Sequence, residues 1–108
     1  MLTFVFIDDA MCRYGKGVYF AKESAYSASA TYSPADSRGV QQMFLCRVLV
    51  GYSCKGKKDQ TVPDMRDASK SVLYDTTTNT DQTIVVTYHD AQQYPEYLLQ
   101  FKSFKSGV

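Results

Sequence analysis

The chain has 108 residues, of which 44% are hydrophobic and 21% charged, with a formal net charge of +1. That length holds one small domain rather than two, and the composition is that of a globular chain rather than a disordered one. The near-neutral balance gives no field that would draw nucleic acid or another polyanion, and no apolar run approaches the roughly 18 residues of a membrane-spanning helix.

In chain order, the opening MLTFVFIDDA has a short apolar stretch with no basic flank and two acids behind it, which is wrong for a secretory signal. Val18-Tyr19-Phe20-Ala21 leaves a turn containing Gly15 and Gly17 and reads as a short strand. Glu23 to Tyr32, rich in Ala and Ser, predicts a helix of two to three turns ended by Ser33-Pro34. Its serines make it weak in isolation, so packing must hold it. Met43 to Val50 is the clearest strand; Arg47 interrupts it and is expected to face an edge or a polar partner. Tyr52 to Gln82 reads as one long polar loop broken only by Val72-Leu73-Tyr74, a length that marks a functional or mobile segment. Thr83 to Tyr88 predicts a β-branched strand, Asp90 to Glu96 a turn around Pro95, and Tyr97 to Lys102 a last strand pairing with the one before it as an antiparallel hairpin. The class is α+β, a mainly antiparallel sheet with one clear helix.

The aromatic content is unusual: nine Tyr and six Phe with no Trp, which suits strands and a cleft wall better than a helix bundle. Cys12, Cys46 and Cys54 form an odd set with no CxxC, which favours a reducing intracellular compartment, nuclear or cytoplasmic, over a disulfide framework. His89 is the single histidine, no Cys/His pair has ligand spacing, and no metal site is expected. The acid pairs Asp8-Asp9 and Asp64/Asp67 lack the contrasting environments that paired-carboxylate catalysis needs. No cysteine has a nameable His partner to activate it.

Gly15-Lys16-Gly17 alone reads as a turn that needs flexible backbone. It lacks the glycine spacing and the following Lys-Ser/Thr of a phosphate loop, and a strand rather than a helix follows it. Lys16 to Phe20 brushes against an RNA-recognition strand, but Val18 and Tyr19 disagree with it, and no basic face accompanies the aromatics.

The larger constellation is more specific. YGKGVYFA (Tyr14 to Ala21), then Ser27 and Tyr32, then IVVTYHDAQQYPEYLLQF (Ile84 to Phe101), together resemble the catalytic domain of the poly(ADP-ribose) polymerase family, the diphtheria-toxin-like ADP-ribosyltransferases, and within it the mono-ADP-ribosylating His-Tyr-Ile subgroup. The resemblance covers residues 14–104 and implies the C-terminal half of that domain, with 1–13 as a non-matching lead and 105–108 as a tail. It implies NAD⁺ as donor substrate, no metal, and a protein acceptor. Tyr19 is implied to pack against nicotinamide, Ser27 to bond its carboxamide, Tyr32 to stack on the ring's other face, and Phe20 and Ala21 to line the pocket. The residue chemistry agrees: a planar cationic ring sits well between two aromatic faces, and a carboxamide needs one polar handle in an apolar slot. Taken singly, Tyr19 reads as a core strand residue; the joint spacing is what points to a site.

Ile84 aligns where polymerising members carry a catalytic Glu. An aliphatic side chain neither accepts nor donates a hydrogen bond, so transfer of one ADP-ribose, not a polymer, is implied. Asp81 lies an odd number of positions from Ile84, which on a strand would face the opposite side. The family's triad His belongs in an H-G-T/S segment upstream of Tyr19, whereas the single His here follows it. The chain is therefore expected to be a fragment of the domain, inactive alone, with part of its apolar content meant for strands outside it. The alternative is a short non-catalytic remnant that acts as a partner-binding module.

Overall fold

The computed structural model describes residues 2–6, 13–29 and 32–102. Cys12, the Asp8-Asp9 pair and the tail 105–108 lie outside the described residues.

The fold is one sheet carrying a short helix. Its strands are β1 (Leu2–Phe6), β2 (Val18–Ala21), β3 (Gln41–Val48), β4 (Ser53–Lys55), β7 (Thr76–Thr78), β8 (Ile84–Thr87) and β9 (Gln93–Phe101), in the order β4-β7-β8-β2-β1-β3-β9. A separate two-stranded sheet pairs β5 (Met65–Asp67) with β6 (Val72–Leu73). All pairings are antiparallel except β4 with β7, which is parallel. The α+β class with a mainly antiparallel sheet follows from this topology.

Alternation along β2 divides the core. Tyr19 and Ala21 face one side, where they meet Ile84 and Val86 of β8 and where Tyr14, Tyr32 and Tyr88 pack against them. Phe20 faces the other side with Cys46 and Val48 of β3, and Val50 beyond it. The register Tyr19↔Val86, Ala21↔Ile84 carries the first group straight across the β2–β8 ladder. Burial raises the pKa of the Cys46 thiol above its ordinary value, so that cysteine serves as a small apolar core residue.

Several expectations need correction. The segment set apart as a lead supplies β1, which pairs with both β2 and β3 inside the sheet. The predicted helix shrinks to α1, Ser24–Ala28. Ser29 adopts extended backbone and ends the helix early, and no side chain caps its N-terminus. Two of its orphan carbonyls are satisfied from elsewhere: Ser33 Oγ donates to Ser27 O (2.6 Å) and Gln41 Nε2 to Ala28 O (2.9 Å); the same Gln41 amide also donates to Ser33 O (2.7 Å) in the following loop.

The long loop is not structureless, because it supplies β4 and β7. Thr76, Thr77 and Thr78 are all buried. Burying a hydroxyl is tolerable when it is bonded, and here Thr76 Oγ1 donates to Val50 O (3.0 Å) and Thr77 Oγ1 to Tyr14 O (2.6 Å).

The predicted terminal hairpin does not form. β8 pairs with β2 and β7, whereas β9 lies at the far edge on β3. Pro95 is inside β9, not in a turn. It stands opposite Cys46, where the register shifts between Leu45 and Cys46, a bulge that accommodates a residue without an N–H. Arg47 finds its polar partner on that strand, with Nε 2.9 Å from Glu96 Oε1. Phe44 and Leu98 face each other across the same ladder and are 44% and 52% exposed.

Candidate functional site

The candidate site is the Tyr19 face of β2 and β8 together with α1. The structure brings together Tyr19, Ala21 and Ile84 in one buried cluster, with Tyr32 packed on it. Ser27 is fully buried on α1. Phe20 does not join them, since strand alternation sends it to the opposite core. Tyr32 also stacks on Tyr26, with ring centroids 5.4 Å apart and planes 15° from parallel, inside the range of favourable offset stacking.

Two groups fix the position of Tyr19 and Ile84. The Tyr19 hydroxyl donates to Gly15 O (2.6 Å) and accepts from Tyr14 N–H (3.2 Å), which ties the ring to the turn that precedes its own strand. Ile84 follows a tight turn at 79–82, where Gln82 has a left-handed backbone. The Asn79 carboxamide oxygen accepts from Thr83 N–H (2.9 Å) and Ile84 N–H (3.0 Å), which sets where β8 begins. Asp81 sits exposed in this turn rather than on a strand, so the odd-offset argument does not apply to it.

The Tyr14–Gly17 turn is held on several sides. Thr77 Oγ1 donates to Tyr14 O, so the Tyr88 hydroxyl, 2.8 Å from Thr77 Oγ1, is left as donor to that atom. Burial raises the Tyr88 pKa above its ordinary value. Gly15 has φ +128°, and a Cβ there would overlap the Tyr88 hydroxyl. Gly17 needs no unusual φ, but its Cβ would overlap the Thr87 carbonyl of β8. The turn therefore needs glycine for close approach at both positions, and for backbone freedom only at Gly15.

Sequence reasoning did not assign roles to Thr77, Tyr88, Asn79, Gln41 or Tyr26. Tyr14 and Tyr88 lie within the quoted motifs, so those motifs already pointed at two of the groups that anchor the turn. Among the described residues, no three His, Cys, Asp or Glu side chains converge as metal ligands, and no helix is long and apolar enough to cross a membrane.

A buried tyrosine fastened to a double-glycine turn packs with an aliphatic β8 residue, beside a helix that carries a buried serine, on a mixed α/β scaffold. That scaffold has known relatives. Residues 3–56 match the family described as the poly(ADP-ribose) polymerase catalytic domain. The chain is 39% identical over 92 residues to human protein mono-ADP-ribosyltransferase PARP14, an alignment covering 82% of this chain and 5% of that protein. It is 40% identical over 92 residues to mouse protein mono-ADP-ribosyltransferase PARP12, covering 83% of this chain and 12% of the relative. With mouse protein mono-ADP-ribosyltransferase PARP10 the figures are 33% over 97 residues, 88% and 10%. The chain belongs to the poly(ADP-ribose) polymerase catalytic-domain family. It spans between 5% and 12% of the length of these three relatives.

Proposed function

We propose that this segment is the C-terminal half of an NAD⁺-dependent protein mono-ADP-ribosyltransferase domain and that its Tyr19 face forms the nicotinamide side of the donor pocket. The observation that carries this reading is the convergence of Tyr19, Ala21 and Ile84 in one cluster with Tyr32 packed on it. Ser27 adds a polar group at the buried face of α1, of the kind a carboxamide would engage. The relatives' names as mono-ADP-ribosyltransferases support the reaction class.

In the reaction the bond between ribose C1′ and the nicotinamide nitrogen breaks, and its electron pair leaves with nicotinamide as a neutral molecule. C1′ takes on oxocarbenium character, and an acceptor oxygen or other nucleophile forms the new bond. The chain's part is to hold the leaving ring and orient the sugar, which lowers the barrier chiefly by positioning. Ile84 stands where a chain-elongating carboxylate would have to act. Its side chain offers no lone pair to hold a ribose hydroxyl or to activate one as the next acceptor, so transfer stops after one unit. The half-exposed Phe44 and Leu98 of the β3–β9 ladder support burial against the rest of the domain.

The test uses labelled NAD⁺ and the longer protein that carries this segment. One ADP-ribose per acceptor is expected, with Ser27→Ala and Tyr32→Ala each reducing transfer at least tenfold; polymer ladders would overturn the Ile84 argument. The 108-residue chain, with no histidine ahead of Tyr19, is expected to transfer nothing, and turnover above a Tyr19→Ala control would refute that.

A further inference from the structure

The Tyr14–Gly17 turn is held from the sheet by Tyr19 and Thr77. It is also held from outside, by a stretch that the signature motifs do not include. Residues 57–64 close on themselves. Lys57 N–H donates to Gln60 Oε1 (3.0 Å), Gln60 N–H to Lys57 O (3.2 Å), and Gln60 Nε2 to Asp64 Oδ1 (2.9 Å), while Lys57 Nζ lies 3.2 Å from Asp64 Oδ2. Asp59, with φ 61°, turns the chain between them. The Gln60 side chain is thus used at both ends inside the clip, and its backbone carbonyl is aimed outward to accept Lys16 N–H at 2.6 Å. At the base of the clip, Gly56 N–H donates to Thr78 O of β7 (2.9 Å), and a Cβ on Gly56 would overlap the Tyr14 carbonyl.

We propose that the 57–64 clip is a positioning element for the candidate site: it sets the Tyr14–Gly17 turn and, through the Tyr19 hydroxyl bonds to that turn, the placement of the Tyr19 ring. Gln60 is the positioning residue, and Asp64 anchors it. The mechanical statement stands on the hydrogen bonds alone; its consequence for a ligand rests on the nicotinamide reading. Sites of this kind depend on the shell that locks their side chains, and a displacement of about 1 Å is enough to be felt. Lys57 is exposed and Asp64 partly so, so a change at the surface of the clip has a short bonded route to Tyr19.

The test combines amide exchange with binding of nicotinamide itself on the longer protein that carries this segment. Gln60→Ala and Asp64→Ala are each expected to speed exchange at the Lys16 amide about tenfold while the Val86 amide in β8 keeps its wild-type rate, as local opening without global unfolding requires. Asp64→Asn, which keeps an acceptor for Gln60 Nε2, is expected to stay within about threefold of wild type. Nicotinamide affinity should weaken three- to tenfold in Gln60→Ala and remain near wild type in Asp64→Asn. If Asp64→Ala does not fold, Gln60→Ala reports on the same bond from a partly exposed loop position. Wild-type exchange at Lys16 in folded Gln60→Ala overturns the clip, as does fast exchange with unchanged nicotinamide affinity. A wild-type chain that binds no nicotinamide while Lys16 exchange still responds refutes the pocket reading and upholds the mechanical one.

Discussion

Replacing Gly17 with alanine isolates close approach from backbone strain. The new Cβ would overlap the Thr87 carbonyl oxygen and stand 2.8 Å from Val86 Cγ1 and 3.2 Å from the Thr87 carbonyl carbon. Two of these three atoms are backbone of β8, directly across from Val18 in the ladder, so no flexible side-chain end can yield. Relief requires β2 to move away from β8 at this end. That forfeits one or two ladder bonds at about 1 kcal/mol each and adds about 1–3 kcal/mol for overpacking. Alanine also restricts the unfolded chain, which returns about 0.4–1 kcal/mol. The net loss is about 2–4 kcal/mol, or roughly 10–20 °C in Tm for a domain of this size. Gly39 is the control. Its φ is +78° but nothing lies within 4 Å of its Cβ, so Gly39→Ala carries only the left-handed backbone cost of about 1 kcal/mol. Urea unfolding of both variants gives the comparison. Gly17→Ala within 0.5 kcal/mol of wild type, on the order of the scatter for a neutral surface change, or less damaging than Gly39→Ala, would refute the steric argument.

Three further outcomes follow from the same contacts. Tyr19→Phe keeps the ring but strands the buried Gly15 carbonyl and the Tyr14 amide, and should cost about 1–3 kcal/mol in chemical denaturation; a neutral result would mean that water replaces the hydroxyl. Ile84→Glu places a carboxyl in an apolar cluster, so its folded pKa must rise above about 4.3. The favourable side is then low pH: the penalty relative to wild type should be smallest near pH 4.5 and reach about 3 kcal/mol or more at pH 7.5, and a pH-independent penalty would contradict a buried charge. Burial raises the Tyr88 pKa, so the folded state resists ionisation that the unfolded chain undergoes near pH 10. Its contribution is complete below that pH and lost as pH rises toward the folded value. Tyr88→Phe should therefore flatten the wild-type decline in stability between about pH 9.5 and 11, and superimposable profiles would count against it.

The apolar strands β2, β3 and β8 were legible because each is a short β-branched or aromatic run, and the polar neighbour expected for Arg47 exists as Glu96. β4 and β7 were hidden because the pattern rule assumes that buried strands are apolar. Thr76, Thr77 and Thr78 violate it with β-branched side chains whose shape suits a strand. Thr76 and Thr77 bond Val50 O and Tyr14 O, and both acceptors are distant in sequence. No local signal reveals such partners. The hairpin between β8 and β9 failed for a related reason: sequence neighbours pair often, but here β9 lies beyond β2, β1 and β3 in the strand order, held by a long ladder with β3 that runs from Gln41↔Phe101 to Val48↔Gln93.

The site divides along the same line. Tyr19, Ala21, Ile84 and Tyr32, singled out by motif, share one cluster, whereas Phe20, adjacent in the motif, joins the other core, as the two-residue period of a strand requires. Once β2 is accepted as a strand, the run Tyr19-Phe20-Ala21 carries two tasks on opposite faces. Tyr19 and Ala21 pack with Ile84 and Val86 on the candidate-site face, while Phe20 locks the back of β2 against Cys46 and Val48 across the intervening β1. Removing the Phe20 ring therefore tests the scaffold and not the candidate site. It opens a cavity between β2 and β3, at about 3–5 kcal/mol for a buried phenylalanine, while every atom of the Tyr19 face keeps its place until the sheet itself gives way.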